Sequence, residues 1–164
     1  MGLYAGFTAA EKTSLPPFDA DLAVMTGNAA QVFLSDNDGA RALQGTHAAL
    51  RPHGYLVFET RRPEWRAWEK WAAEAGRLVA DIPEIGLVEQ RSEVTDVSLP
   101  SVSIRGTYTF RADGAVIVSD STLRFRSCAE VKSSLVVHGY RVLDVRDAPD
   151  RPGREFVFIA ERTT

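Results

Sequence analysis

Two short apolar runs in the first part of the chain end in residues that can touch a ligand. Leu22-Ala23-Val24-Met25 gives way to Thr26-Gly27-Asn28, and Tyr55-Leu56-Val57-Phe58 gives way to Glu59-Thr60-Arg61-Arg62. An apolar run closed by small or polar groups is the pattern of a buried parallel strand whose carboxyl end opens into a crevice, where open α/β sheets bind their ligands. A glycine at such a corner lets the backbone turn sharply or lets a ligand approach closely. The alternative is a strand-to-helix corner that uses Asn and Gly for backbone reasons alone. Glu59, Thr60 and Arg61 admit the same two readings, substrate contacts at a strand end or ordinary solvated groups.

Other reactive side chains are scattered. His47, His53 and His138 fall on a helix face, a loop and a helix end, so their spacing yields neither a triad nor a metal site. Cys128 is the sole cysteine, and a single thiol forms no internal disulfide. If a general base is used, Glu59 and His53 are the nearest candidates, and no spacing rule chooses between them.

The elements that position these residues follow from periodicity and turn chemistry. Residues 1–17 lack a clear period and end in Leu15-Pro16-Pro17, an extended lead-in. A strand is expected at about 20–26 and is read as the middle of a covered sheet. Capping oxygens at Ser35–Asp38, with Ala40, Leu43, His47 and Leu50 at helical spacing, predict a helix over 36–50 that stops at Pro52-His53-Gly54. Tyr55–Phe58 is the next strand, so the three elements form one parallel crossover unit. Pro63 opens a short helix to about 74, with Trp65, Trp68 and Trp71 on one face.

From Gly76 to Arg126 the period changes to two. Leu87–Val94, Val102–Phe110 and Ala115–Phe125 read as antiparallel strands, with Leu78–Ile82 as a further one and Asp113-Gly114 as a tight hairpin. Ser127 with Glu130 forms a capping-box signature for a helix over 128–138, in which Cys128, Val131, Leu135 and Val136 face inward and Gly139 ends the helix. Tyr140–Arg146 and Glu155–Glu161 close the chain as a strand pair around a turn-rich linker.

The bulk figures narrow the class. A chain of 164 residues is read as one domain, and 45% hydrophobic with 25% charged residues is ordinary for a globular protein. A net charge of −3 with scattered arginines argues against a nucleic-acid partner, which needs clustered Lys and Arg. No apolar stretch approaches a membrane span and no signal-like start is present, so a cytoplasmic location is expected.

The two opening segments, FDADLAVMTGNAAQVF and HAALRPHGYLVFETR, resemble the fourth and fifth strands of class I S-adenosylmethionine-dependent methyltransferases. Leu50–Glu59 is similar to that family's LxPGGxLxxE phrase, with His53 in place of the first glycine. FRSCAEVKSSLVVHGYRVLDV and EFVFIA resemble its last helix and its antiparallel sixth and seventh strands. The resemblance implies an α/β fold: a partial Rossmann-like sheet of the fourth to seventh strands, with residues 18–75 and 126–164 as its core and 76–125 as an antiparallel insertion. The family's glycine-rich loop and ribose-binding acid have no counterpart, since no GxG occurs anywhere.

By the same resemblance, Met25, Thr26, Gly27 and Asn28 would face S-adenosylmethionine, and Gln31, Glu59 and Arg61 would face a small-molecule acceptor. Trp65, Trp68, Tyr108 and Arg124 could line an acceptor pocket, with Trp65 and Trp68 also fitting a core role. The expected function is methyl transfer by a truncated member of the family once its cofactor site is completed, through a homodimer or a partner protein. The alternative is a non-catalytic binding or regulatory module that pairs with an intact methyltransferase or with itself. In either case a bare strand at 20–26 calls for cover by residues 1–15 or by a second chain.

Overall fold

The computed structural model describes residues 18–74 and 77–164. The proposed cover by residues 1–15 lies outside the described residues. The element order is β1 (Ala20–Met25), α1 (Asp36–Ala49), β2 (Leu50–Arg61), α2 (Ala67–Ala73), β3 (Arg77–Ile82), β4 (Gly86–Ser98), β5 (Ser101–Phe110), β6 (Val116–Arg124), α3 (Cys128–Val137), β7 (Tyr140–Arg146) and β8 (Glu155–Arg162). They fall into two compact units: the chain up to Trp65 together with Arg126–Thr164, and Arg66–Phe125. Helix α2 therefore goes with the antiparallel strands.

The first unit is a four-stranded sheet in the order β1-β2-β8-β7. Strands β1 and β2 are parallel, and β8 runs antiparallel to both β2 and β7. Alternation along β2 is strict from Gly54 onward: Leu56, Phe58 and Thr60 are buried while Tyr55, Val57, Glu59 and Arg61 are not. The buried face joins Phe156, Phe158 and Ala160 of β8 and Tyr140 of β7 to Leu43 of α1 and to Val131 and Leu135 of α3. Phe58 and Phe158, paired across the strands, stack at 5.1 Å.

Local chemistry sets the helix ends. Ser35 accepts from the Asp38 amide at 3.0 Å to start α1. Ser127 and Glu130 form the full reciprocal box that starts α3. Gly139, at φ 81°, ends α3; a Cβ there would sit 2.8 Å from His47 Nε2. Val136, expected to face inward, is 64% exposed, because α3 turns the row of Val131 and Leu135 to the core instead.

Two features of the sheet differ from expectation. Helix α1 passes directly into β2, and Pro52-His53-Gly54 forms an irregularity inside the strand rather than a loop before it. The pairing jumps from Ala20↔Leu50 to Leu22↔Tyr55, with His53 at φ 63°. Gly54 is required there, since a Cβ would lie 2.9 Å from the carbonyl oxygens of both Ala20 and Arg51. Strand β1 is also not the middle of a covered sheet. It is an edge of the described sheet, with Ala23 and Met25 packed on the core while Leu22 and Val24 are 53% and 51% exposed. The open face continues on β2 through Tyr55.

The second unit is a four-stranded antiparallel sheet in the order β3-β4-β5-β6. Strands β4 and β5 meet through a two-residue turn at Leu99-Pro100, and β5 and β6 through Asp113-Gly114, where Asp113 Oδ1 accepts from the Ala115 amide. Trp68 of α2 is buried edge-on against Phe125 at 4.8 Å, a core role. Cross-strand ion pairs, Arg105 with Asp120 and both Arg77 and Arg111 with Glu89, mark its solvated face.

Candidate functional site

The carboxyl ends of β1 and β2 lie side by side, and because β8 runs the other way its first residue, Glu155, lies at the same edge. Apolar β1 stops at Thr26, and the next two residues are both left-handed, Gly27 at φ 68° and Asn28 at φ 59°. That conformation suits Gly and Asn, and it starts a 3-10 turn over Ala29–Val32. Thr26 and Gly27 are exposed, and nothing lies within 4 Å of where a Cβ on Gly27 would be. The backbone at this corner is thus open to close approach.

A charged network holds the corner. The Gly27 amide donates to Glu59 Oε1 at 2.9 Å. Asn28 Nδ2 donates to Glu155 Oε1 at 2.9 Å, and Arg151 Nη1 reaches the same oxygen at 2.9 Å. Arg151 Nη2 also meets Glu59 Oε2 at 3.5 Å, so one guanidinium ties β8 to β2. Arg62 donates to the Glu155 carbonyl and to Asp147, and lies 4.0 Å over the Phe156 ring. Arg61, opposite Glu155 across the strands, donates to Gln31 Oε1 at 2.8 Å. Desolvation holds the Arg61 guanidinium below its ordinary range, against the pull of Glu155 and Glu59. An arginine so shifted is still a cation at neutral pH.

Asn28, Gln31 and Glu155 are among the few buried polar side chains. Within the network, Asn28 Oδ1 and Glu155 Oε2 are buried with no hydrogen-bond partner. Such an orphaned acceptor costs about 1–3 kcal/mol. The amide orientation is set by its neighbour, since turning it over would bring Oδ1 against the Glu155 carboxylate.

The expected site residues divide by position. Thr26, Gly27, Asn28, Gln31, Glu59 and Arg61 come together at this edge. Met25 turns its side chain to the core, so only its backbone belongs to the corner. Trp65 is half-buried beneath Arg154, whose guanidinium is 5.1 Å from its ring centre. Tyr108 and Arg124 belong to the other unit and do not share a pocket. Arg124 lies opposite Ser101, seven positions before Tyr108 on β5, a separation of about 23 Å. His53 stands six positions before Glu59 on β2, about 20 Å from this edge, and pairs instead with Glu161. Glu155, Arg151 and Asp147 were not singled out in the sequence, where Glu155 opens the last expected strand and Asp147 and Arg151 fall in the turn-rich linker before it. Only the antiparallel return of β8 brings them to the site.

Neither protein-family models nor curated protein sequences match this chain. Solved structures do. An S-adenosylmethionine-dependent methyltransferase from Clostridium acetobutylicum superposes with a TM-score of 0.63 at 14% identity, over 88% of this chain and 58% of that one. The S-adenosylmethionine-bound amino pentose methyltransferase of Micromonospora echinaspora gives 0.61 at 17% identity, over 87% and 58%. A sugar N-methyltransferase from a Streptoalloteichus species gives 0.64 at 14%, over 88% and 56%. The fold is class I methyltransferase-like. In this methyltransferase-like fold the corner after β1 and the end of β2 lie side by side at one edge of the sheet. The chain spans less than two thirds of the length of each of these three neighbours.

Proposed function

We propose that this chain forms the acceptor side of a methyl-transfer site that uses S-adenosylmethionine and a small-molecule acceptor. The observation that carries the reading is the open corner at Thr26–Asn28, at the carboxyl edge of two parallel strands in a methyltransferase-like fold. Ligands of open α/β sheets bind at such edges.

The residues fit one side of the cofactor. Gly27 carries no side chain into the open space above it, and Thr26 is exposed beside it. S-adenosylmethionine supplies an electrophilic methyl group, so the protein's task is alignment of the acceptor rather than bond chemistry. Glu59 serves alignment by fixing the Gly27 amide, and its second oxygen faces Arg151. Gln31 is buried and acts through Arg61, which it orients. With its base-like groups so engaged, the network positions a ligand rather than taking a proton from it.

The opposite wall of the cofactor site is supplied by polypeptide that pairs with the outer edge of β1 and covers Leu22, Val24 and Tyr55, whether from residues ahead of the described ones, a second copy or another chain. Calorimetric titration with S-adenosylhomocysteine tests the reading. Saturable binding supports it. Absence of binding at millimolar ligand would sink the reading for this chain by itself and favour a site completed by a partner or the non-catalytic binding module.

A further inference from the structure

We propose that Asn28 Oδ1 and Glu155 Oε2 form a receptor for a nitrogen that carries hydrogens, so that the ligand bound at this edge is an amine or its ammonium ion. Naming that ligand as the methyl acceptor rests on the methyl-transfer reading; the receptor itself does not.

Both side chains are almost wholly buried, and neither oxygen has a partner among the described residues. Acceptors buried in folded proteins nearly always meet a donor. The neighbouring donors are committed elsewhere. Arg151 directs Nη1 to Glu155 Oε1, Nη2 to Glu59 and Nε to Asp150. Arg62 directs Nε and Nη2 to the Glu155 carbonyl and to Asp147. The Asn28 amide nitrogen faces Glu155 Oε1. None of these bonds, nor that of Arg61 Nη1 to Gln31, reaches either free oxygen, so both can receive a donor from outside the network.

The chemistry of the pair selects the donor. The two groups are joined by a 2.9 Å hydrogen bond from Asn28 Nδ2 to Glu155 Oε1, and each keeps its second oxygen free. One of them is a carboxylate oxygen, which favours a cation. A hydroxyl has one hydrogen to give, whereas an amine or ammonium has two or three. The exposed Thr26–Gly27 corner lies directly beside this locus in the chain.

The test is a nitrogen-15 NMR titration of the full chain with ethylammonium and, separately, with ethanol. The amine is expected to shift the Asn28 side-chain amide and the Gly27 amide saturably, at least tenfold more tightly than the alcohol. The Glu155→Gln variant is expected to lose that preference. Equal responses to the two probes, no response at Asn28, or an Asn28 side chain that reports bound water only would overturn the proposal. If Glu155→Gln fails to fold by circular dichroism, the amine-to-alcohol ratio on the native chain decides alone. S-adenosylhomocysteine binding is read independently: amine binding without it keeps the receptor and removes the methyl-transfer reading, and the converse result removes the receptor alone.

Discussion

Glu59 and Glu155 receive the same Arg151, yet they differ in burial, and that difference sets what each contributes. The Glu155 side chain is 4% exposed and that of Glu59 18%. Truncating Glu155 to Ala strands the Asn28 amide and half of Arg151, and is expected to cost about 3 kcal/mol. Truncating Glu59 frees a Gly27 amide that water can reach, and is expected to cost about 1 kcal/mol. Urea denaturation of the two variants checks the order, and equal losses would contradict it. Tyr140 provides a second test. Burial pushes its hydroxyl up to about 12, while it donates to the Leu43 carbonyl at 3.1 Å. A raised value means that the folded state holds the proton longer than the unfolded one, so stability is full below pH 10 and falls as pH rises from about 10 to 12. Tyr140→Phe is expected to remove most of that alkaline decline, on the order of 2–3 kcal/mol, as read from urea midpoints on either side of the window. At this scale the sequence set Gly27, Asn28, Glu59 and Arg61 apart, because polar groups directly behind an apolar run stand out, and the structure gathers them at one edge. Glu155 was hidden, because a charge at the first position of a strand looks like an ordinary solvated end until pairing brings it opposite Arg61.

Elements were legible wherever local chemistry and periodicity agree. The Ser127–Glu130 box, the Asp113-Gly114 hairpin and the closing strand pair stand where their residues demand, and Ser127→Ala is expected to lower stability by about 1 kcal/mol in thermal unfolding. Failures came where two local readings compete. Pro52-His53-Gly54 reads as a loop, yet it is absorbed into β2 because Gly54 admits the Ala20 carbonyl at a distance no side chain tolerates. In the resembling phrase a glycine stands where this chain has His53, and His53 does adopt the left-handed conformation that glycine favours. His53→Gly is expected to relieve about 1 kcal/mol of backbone strain, less the contribution of the His53–Glu161 pair, in which His53 is exposed and Glu161 is buried. A rise in melting temperature checks it, and a fall would show that the ion pair outweighs the strain. Val136 was misassigned for a simpler reason: Leu135, Val136 and Val137 are all apolar, and composition cannot tell which row of a helix turns inward.

Across the whole molecule, the order of parallel strand, helix, parallel strand and closing antiparallel pair was readable, whereas the state of β1 was only half readable. An apolar run looks the same in the centre of a sheet and at an edge. Here one side packs on the core and the other leaves Leu22 and Val24 open. Among the described residues β1 is an apolar edge strand, which recruits pairing partners, so the native chain is expected to self-associate or to bind a complementing polypeptide. The double substitution Leu22→Lys with Val24→Lys should abolish that association, as read by sedimentation velocity; association unchanged by the two lysines would assign it to another surface. The central claim is that the sheet edge at the end of β1 and β2 belongs to a methyl-transfer site, and titration of the purified chain with S-adenosylhomocysteine tests it most directly. Saturable binding that shifts the Gly27 amide is the predicted result, and absence of binding at millimolar ligand would contradict the account.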